Sequence, residues 1–126
     1  MEIGIVGNRN GWTYEEIEKR LDEMGLYKSD IIVSGGADGV DSFAQEYAKK
    51  LGCEMRIFYP DPTKKIPDRF FERNKLIVMF SDLIVAFDKG DVHSGTQHTI
   101  NYAKKTNKPV IVVGKKTTEI VSIHTQ

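Results

Sequence analysis

The apolar run Ile31-Ile32-Val33 passes directly into Ser34-Gly35-Gly36-Ala37-Asp38-Gly39-Val40-Asp41, and a helical pattern follows at once. Such an order predicts a strand handing over to a helix whose N-terminus stays open to a ligand. The first-turn amides of a helix carry about half a positive charge between them and suit an anion such as phosphate. Glycines bring the backbone close to that anion, because no Cβ intervenes. Ser34, Gly35, Gly36 and Gly39 are therefore candidate ligand-binding residues. Asp38 and Asp41 need a different explanation, since carboxylates repel phosphate. They accept hydrogen bonds from ribose hydroxyls, or they hold a metal. The hydroxyl role is the preferred reading for at least one of them.

Two further segments have the same character. Gly7-Asn8-Arg9-Asn10-Gly11-Trp12 follows the first apolar run, and Asn8 and Arg9 offer donors to phosphate or a base. Asp88-Lys89-Gly90-Asp91-Val92-His93-Ser94-Gly95-Thr96 follows the fourth. There Ser94, Gly95 and Thr96 open a helix with exposed amides and two hydroxyls. Arg73-Asn74 interrupts an otherwise bulky apolar helix, and arginine makes forked contacts with phosphate or carboxylate. His93 and His98 read as loop or surface histidines. No carboxylate stands at matched spacing to them, so no zinc site is expected and the metal assignment is none. Neither a G-x-G-x-x-G fingerprint nor a G-x-x-x-x-G-K-[ST] loop occurs.

The elements that must position these residues can be read from apolar periodicity. Strands are predicted at 3–6, 30–34, 54–59, 83–87 and 109–113, and helices at 13–26, 39–51, 69–80 and 95–106. Thr13 and Glu16 have capping-box spacing, and Gly52 ends the second helix. The third strand alternates polar and apolar residues, as an edge strand does. The other four are nearly continuous apolar runs, which fits burial on both faces. Strand–helix alternation then predicts an α/β, Rossmann-like, doubly wound and mainly parallel five-stranded sheet of order 3-2-1-4-5. The chain reads as one domain over 1–126, with a core at 1–113. Residues 114–126 form a tail or edge element, in which Ile120, Val121 and Ile123 fit a short extra strand. In this order the first, second and fourth strands end around the switch point, where ligands of open α/β sheets bind.

Composition narrows the partners. Lys+Arg and Asp+Glu balance at 18 each, so no global field attracts nucleic acid or an anionic membrane. The pairs Lys49-Lys50, Lys64-Lys65, Lys104-Lys105 and Lys115-Lys116 are scattered among acids and read as solvated faces. Leu76–Phe80, an apolar run that no other exceeds, is too short for a bilayer, and no secretory signal opens the chain. Cys53 is the single cysteine, which leaves no intrachain disulfide. A cytoplasmic location is expected.

Taken together, Ser34–Asp41, Arg73-Asn74 nine residues before Asp82, and Gly95-Thr96 resemble the SLOG superfamily of Rossmann-like domains. That superfamily includes the LOG "lysine decarboxylase-like" proteins and the DNA-processing DprA/Smf proteins. The similarity is greatest to its small stand-alone, YspA-like members, and it runs from Met1 to about Val113. The resemblance implies a pocket for a nucleotide or nucleotide-derived molecule, built from Gly7, Arg9, Ser34, Gly35, Gly36, Asp38, Asp41, Arg73, Asn74, Gly95 and Thr96. LOG enzymes carry P-G-G-x-G-T-x-x-E where this chain reads Asp91 to Thr99. Arg73 matches their partner arginine, but Thr99 stands where their catalytic glutamate would be. A threonine cannot stabilise an oxocarbenium-like sugar or move a proton at neutral pH.

The leading expectation is a module that senses or sequesters a nucleotide or nucleotide derivative and requires no cofactor. The second is a hydrolase cleaving an N-glycosidic or phosphoester bond, with Asp38, Asp41 and Arg73 as candidate catalytic residues. Single-stranded DNA binding ranks third, because it needs a basic groove with stacking aromatics. Phe70, Phe71, Leu76, Ile77, Val78, Met79 and Phe80 exceed what one helix face hides against a sheet. A homo-oligomer, most simply a dimer, is therefore expected.

Overall fold

The fold was obtained as a computed structural model, and the structure describes residues 1–91 and 94–121. Six strands, β1 (Glu2–Gly7), β2 (Ile31–Ser34), β3 (Glu54–Ile57), β4 (Leu83–Phe87), β5 (Val110–Val113) and β6 (Thr118–Val121), form one sheet. Their order is β3-β2-β1-β4-β5-β6. The first five are parallel, and β6 runs antiparallel to β5, with Ile111 opposite Ile120. The predicted order holds, and the extra strand includes Ile120 and Val121. Ile123, His93 and Val92 lie outside the described residues.

Four helices cover the sheet: α1 (Tyr14–Met24), α2 (Val40–Leu51), α3 (Asp68–Met79) and α4 (Gly95–Lys105). The period-2 alternation of each strand separates two cores. Ile3, Ile5, Ile32, Val85 and Phe87 point to one face and pack with Ile17 and Leu21 of α1 and Ala44, Tyr47 and Ala48 of α2. Val6, Val33, Ile84 and Ala86 point to the other and pack with Ile77 and Val78 of α3 and Ile100 and Ala103 of α4.

Local chemistry sets the helix ends. Thr13 and Glu16 form the expected reciprocal capping box, with Thr13 N donating to Glu16 Oε1 at 3.0 Å and Glu16 N to Thr13 Oγ1 at 3.2 Å. α1 stops two residues short of the predicted Leu26, because Gly25 adopts the left-handed conformation at φ 70°. Gly52 ends α2 in the same way. No helix among the described residues is long and apolar enough to cross a membrane.

Candidate functional site

A cleft of about 470 Å³ opens at the carboxyl ends of β1 and β4, the switch point of the sheet. That is room for a small organic ligand. Val6 and Gly7 form its floor, and Asn8, Arg9 and Asn10 come from the loop after β1. Ala37 and Asp41 come from the start of α2, Arg73, Asn74 and Ile77 from α3, and Lys89 and Asp91 from the loop after β4. Ser94, Gly95, Thr96 and Thr99 bring in the first turns of α4. Sequence-distant loops thus converge on one hollow.

Arg73 is buried at 8% exposure, yet it lines the cleft. Its Nη1 donates to the Gly35 carbonyl at 2.5 Å, and its Nε donates to Asn74 Oδ1 at 2.9 Å. Burial pulls the guanidinium below its ordinary pKa, Asp41 opposes that shift, and Arg9 reinforces it. An arginine remains charged regardless. Asp41 is 6% exposed, and one of its oxygens, Oδ2, accepts from the Ala37 amide at 3.1 Å. Burial raises this carboxyl to about 6, against the lowering effects of the Ala37 amide and the positive charge of Arg73. The fully buried Ser34 Oγ lies near enough to favour the anion but outside hydrogen-bond geometry, and it has no partner. The Phe70 ring has the Arg73 and Arg9 guanidinium carbons 6.0 and 5.9 Å from its centre.

The start of α4 is the better anion end of the cleft. Ser94 caps the helix, its Oγ accepting from Gln97 N at 3.1 Å. First-turn helix amides have no intrahelical acceptor. A Cβ placed on Gly95 would meet nothing nearer than Asn74 Nδ2 at 3.9 Å, so space is open there. Thr99 donates its hydroxyl to the Gly95 carbonyl at 3.0 Å, as a buried side chain of the wall.

The expected opening at α2 is corrected by the structure. The loop after β1 covers that helix end, with Val40 N donating to the Asn8 carbonyl at 3.2 Å. A Cβ on Gly39, which sits at φ +75°, would lie 2.3 Å from the Arg9 carbonyl oxygen. The remaining Ala37 amide is held by the protein's own Asp41. Gly35 and Gly36 likewise allow close approach within the protein. A Cβ on Gly35 would fall 2.6 Å from Arg73 Nη1, and one on Gly36 2.7 Å from the Tyr59 ring.

Of the residues singled out in the sequence, Gly7, Asn8, Arg9, Asp41, Arg73, Asn74, Ser94, Gly95 and Thr96 line the cleft. Ser34, Gly35, Gly36 and Gly39 lie behind its wall, and Asp38 is exposed outside it. His98 does not line the cleft, and its ring stacks at 4.0 Å on Phe71, which does. Pro67, Phe70, Ile77 and Lys89 were not foreseen as lining residues. Phe70 and Ile77 had a legible signal, because they stand three before and four after Arg73 and share its helix face. No group of acidic, histidine and cysteine side chains fit to hold a metal ion occurs among the described residues.

Sheet order and cleft define a doubly wound α/β domain with its hollow at the topological switch point. A family model described as DNA recombination-mediator protein A matches residues 57–123, more than half of the chain, and the chain belongs to that family. The SLOG resemblance stands with it. The X-ray structure of DNA processing protein A (DprA) from Streptococcus pneumoniae is similar with a TM-score of 0.76 at 19% identity, over 88% of this chain and 49% of that one. The chain therefore spans about half the length of that relative. The X-ray structure of TM1055 is similar with a TM-score of 0.63 at 20% identity, over 86% of this chain and 71% of that one. No curated protein matches the chain in sequence.

Proposed function

We propose that the cleft binds a nucleotide or nucleotide derivative, and that the protein senses or sequesters it. The observation that carries this reading is Arg73, a buried cation that lines a cleft also lined by the N-terminus of α4. Of five N–H donors on a guanidinium, two are committed here to Gly35 and Asn74. Those remaining suit phosphate, which the α4 amides receive from the other side. Asp41 Oδ2 is held by Ala37, and Oδ1 is the oxygen left to accept from a ribose hydroxyl. Membership of a DNA recombination-mediator family is consistent with a nucleotide or nucleic-acid ligand.

Calorimetric titration with AMP, 2′-deoxy-AMP and NAD tests this reading. AMP should bind, and Arg73→Ala should weaken it by about 10- to 100-fold, the worth of one or two charged hydrogen bonds. Absence of binding by all three nucleotides would remove the proposal.

A hydrolase remains the second reading, because a carboxyl raised to about 6 in a cleft is suited to proton transfer near neutral pH. Thr99 supplies no such group. Chromatography after incubation with AMP or NAD separates the readings. Release of free base that Asp41→Asn abolishes favours the enzyme, and tight binding without product favours the module.

A further inference from the structure

We propose that Lys115, in the turn between β5 and β6, is a positioning residue for the cleft, acting through Trp12 and Asn8. Lys115 Nζ donates at 2.6 Å to the carbonyl of Gly11, 104 residues earlier in the chain. The same ammonium pairs with Glu16, at 2.7 Å to Oε2 and 2.9 Å to Oε1, and lies 4.5 Å from the centre of the Trp12 ring. It therefore clasps the loop after β1 at three points: a carbonyl, an indole face and the cap of α1. The turn that carries it is braced, with Gly114 N donating to Thr117 O at 2.7 Å and Asp88 N to Val113 O at 2.9 Å.

Within the loop so clasped, Asn8 is the lining residue that the indole holds. Trp12 Nε1 donates to Asn8 Oδ1 at 3.1 Å, and the Lys89 amide donates to the same oxygen at 2.9 Å. Asn8 Nδ2 donates to Thr96 Oγ1 at 3.5 Å, on the first turn of α4. The Asn8 carbonyl accepts from Val40 N. Asn8 is buried, and both acceptor positions of its Oδ1 are taken, so it ties together the loops after β1 and β4 and the starts of α2 and α4. Its side chain holds the site in register and keeps one Nδ2 hydrogen for a ligand. The indole fixes Asn8, and the Lys115 cation, favoured over an indole face, fixes the indole. The segment after Val113, which the sequence reads as a tail or edge element, thereby takes part in shaping the cleft.

Amide hydrogen exchange on the intact chain tests the inference without any ligand. Lys115→Ala should raise exchange about fivefold at residues 8–12 and also at 95–98, the loss expected for one cation–π contact and one surface ion pair. Lys115→Arg, which keeps a cation over the ring, should restore protection. Lys116→Ala should leave both segments unchanged. Trp12 is the sole tryptophan, so its emission reports the loss of the clasp directly. Faster exchange at 8–12 with unchanged exchange at 95–98 would overturn the inference, since the clasp would then end at the loop. The consequence for ligand affinity rests on the nucleotide reading: AMP should bind Lys115→Ala about fivefold more weakly. Unaltered AMP affinity in that variant also overturns the inference, whereas failure of the wild type to bind AMP removes only the nucleotide reading.

Discussion

Arg73 Nη1 donates to the carbonyl of Gly35 at 2.5 Å, which ties α3 to the exit of β2 across the rim of the sheet. The contact needs both partners as they are. Arg73→Ala leaves a buried carbonyl and Asn74 Oδ1 unpaired, and should destabilise the fold by about 2 kcal/mol. Arg73→Lys keeps the charge without the fork and should recover only part of that loss. Gly35→Ala puts a Cβ 2.6 Å from Nη1, so it should displace the guanidinium and reproduce the arginine variants in both stability and AMP affinity. Urea unfolding of the three variants with matched titrations measures both effects. A Gly35→Ala protein with unaltered stability and affinity would show that the contact has no role.

Asp41 contributes to stability with a pH dependence opposite in direction to that of a paired carboxylate. Its folded value, about 6, is above its unfolded value near 3.8 because burial disfavours the anion. The folded chain therefore holds more protons than the unfolded chain between those values. The Asp41 contribution to stability is greatest below about pH 4, falls as pH rises to about 6, and stays lowered above. The ionised carboxylate costs roughly 2–3 kcal/mol at pH 8. Asp41→Asn should thus be more stable than wild type at pH 8 by up to that amount and equal to it at pH 4. Thermal unfolding of both proteins across pH 4–8 checks the sign. A wild type stabilised relative to the variant at pH 8 would refute it.

The same carboxylate should discriminate sugars. With Oδ2 committed to Ala37, Oδ1 can accept a ribose hydroxyl. In Asp41→Asn the amide oxygen keeps the Ala37 bond and the NH₂ group replaces the free acceptor. Wild type should prefer AMP to 2′-deoxy-AMP by about tenfold, and the variant should lose that preference. Equal affinities in wild type would move Asp41 from ligand contact to acid–base or structural duty.

The architecture was legible because period-2 and period-3.6 patterns are properties of the sequence itself. Apolar runs such as Ile3–Val6 and Leu83–Phe87, followed by amphipathic helices, leave few topologies open. The convergence of Asp41 with Gly95 followed from placing those residues after the ends of ordered strands, whereas Arg73 showed itself as a polar residue in a helix rich in bulky apolar residues. The purpose of the glycines did not follow. Gly35, Gly36 and Gly39 look alike whether a phosphate or a protein side chain fills the space beside them, and here Arg73, Tyr59 and the Arg9 backbone fill it. Lys115 was equally silent. A lysine in a basic pair reads as solvated, and only the antiparallel turn after β5 brings it to Trp12 and Glu16.

The outer face of α3 supplies the last prediction. Val78 and Ile77 are covered by the sheet and α4, and Phe70 and Phe71 turn toward the cleft. Leu76, Met79 and Phe80 remain 38%, 61% and 44% exposed, close together at the end of one helix. Burying them against a second copy would remove apolar surface from water at about 25 cal/mol per Å². The protein is therefore expected to self-associate through this face, most simply as a two-fold dimer in which the same patch serves both subunits. Met79→Glu would place two carboxylates into such an interface and should convert a dimer to a monomer while leaving the fold intact, since Met79 points outward. Sedimentation velocity at micromolar concentration, with circular dichroism of the variant, checks both halves. A wild type that sediments as a monomer would show that the face is solvated in the free protein.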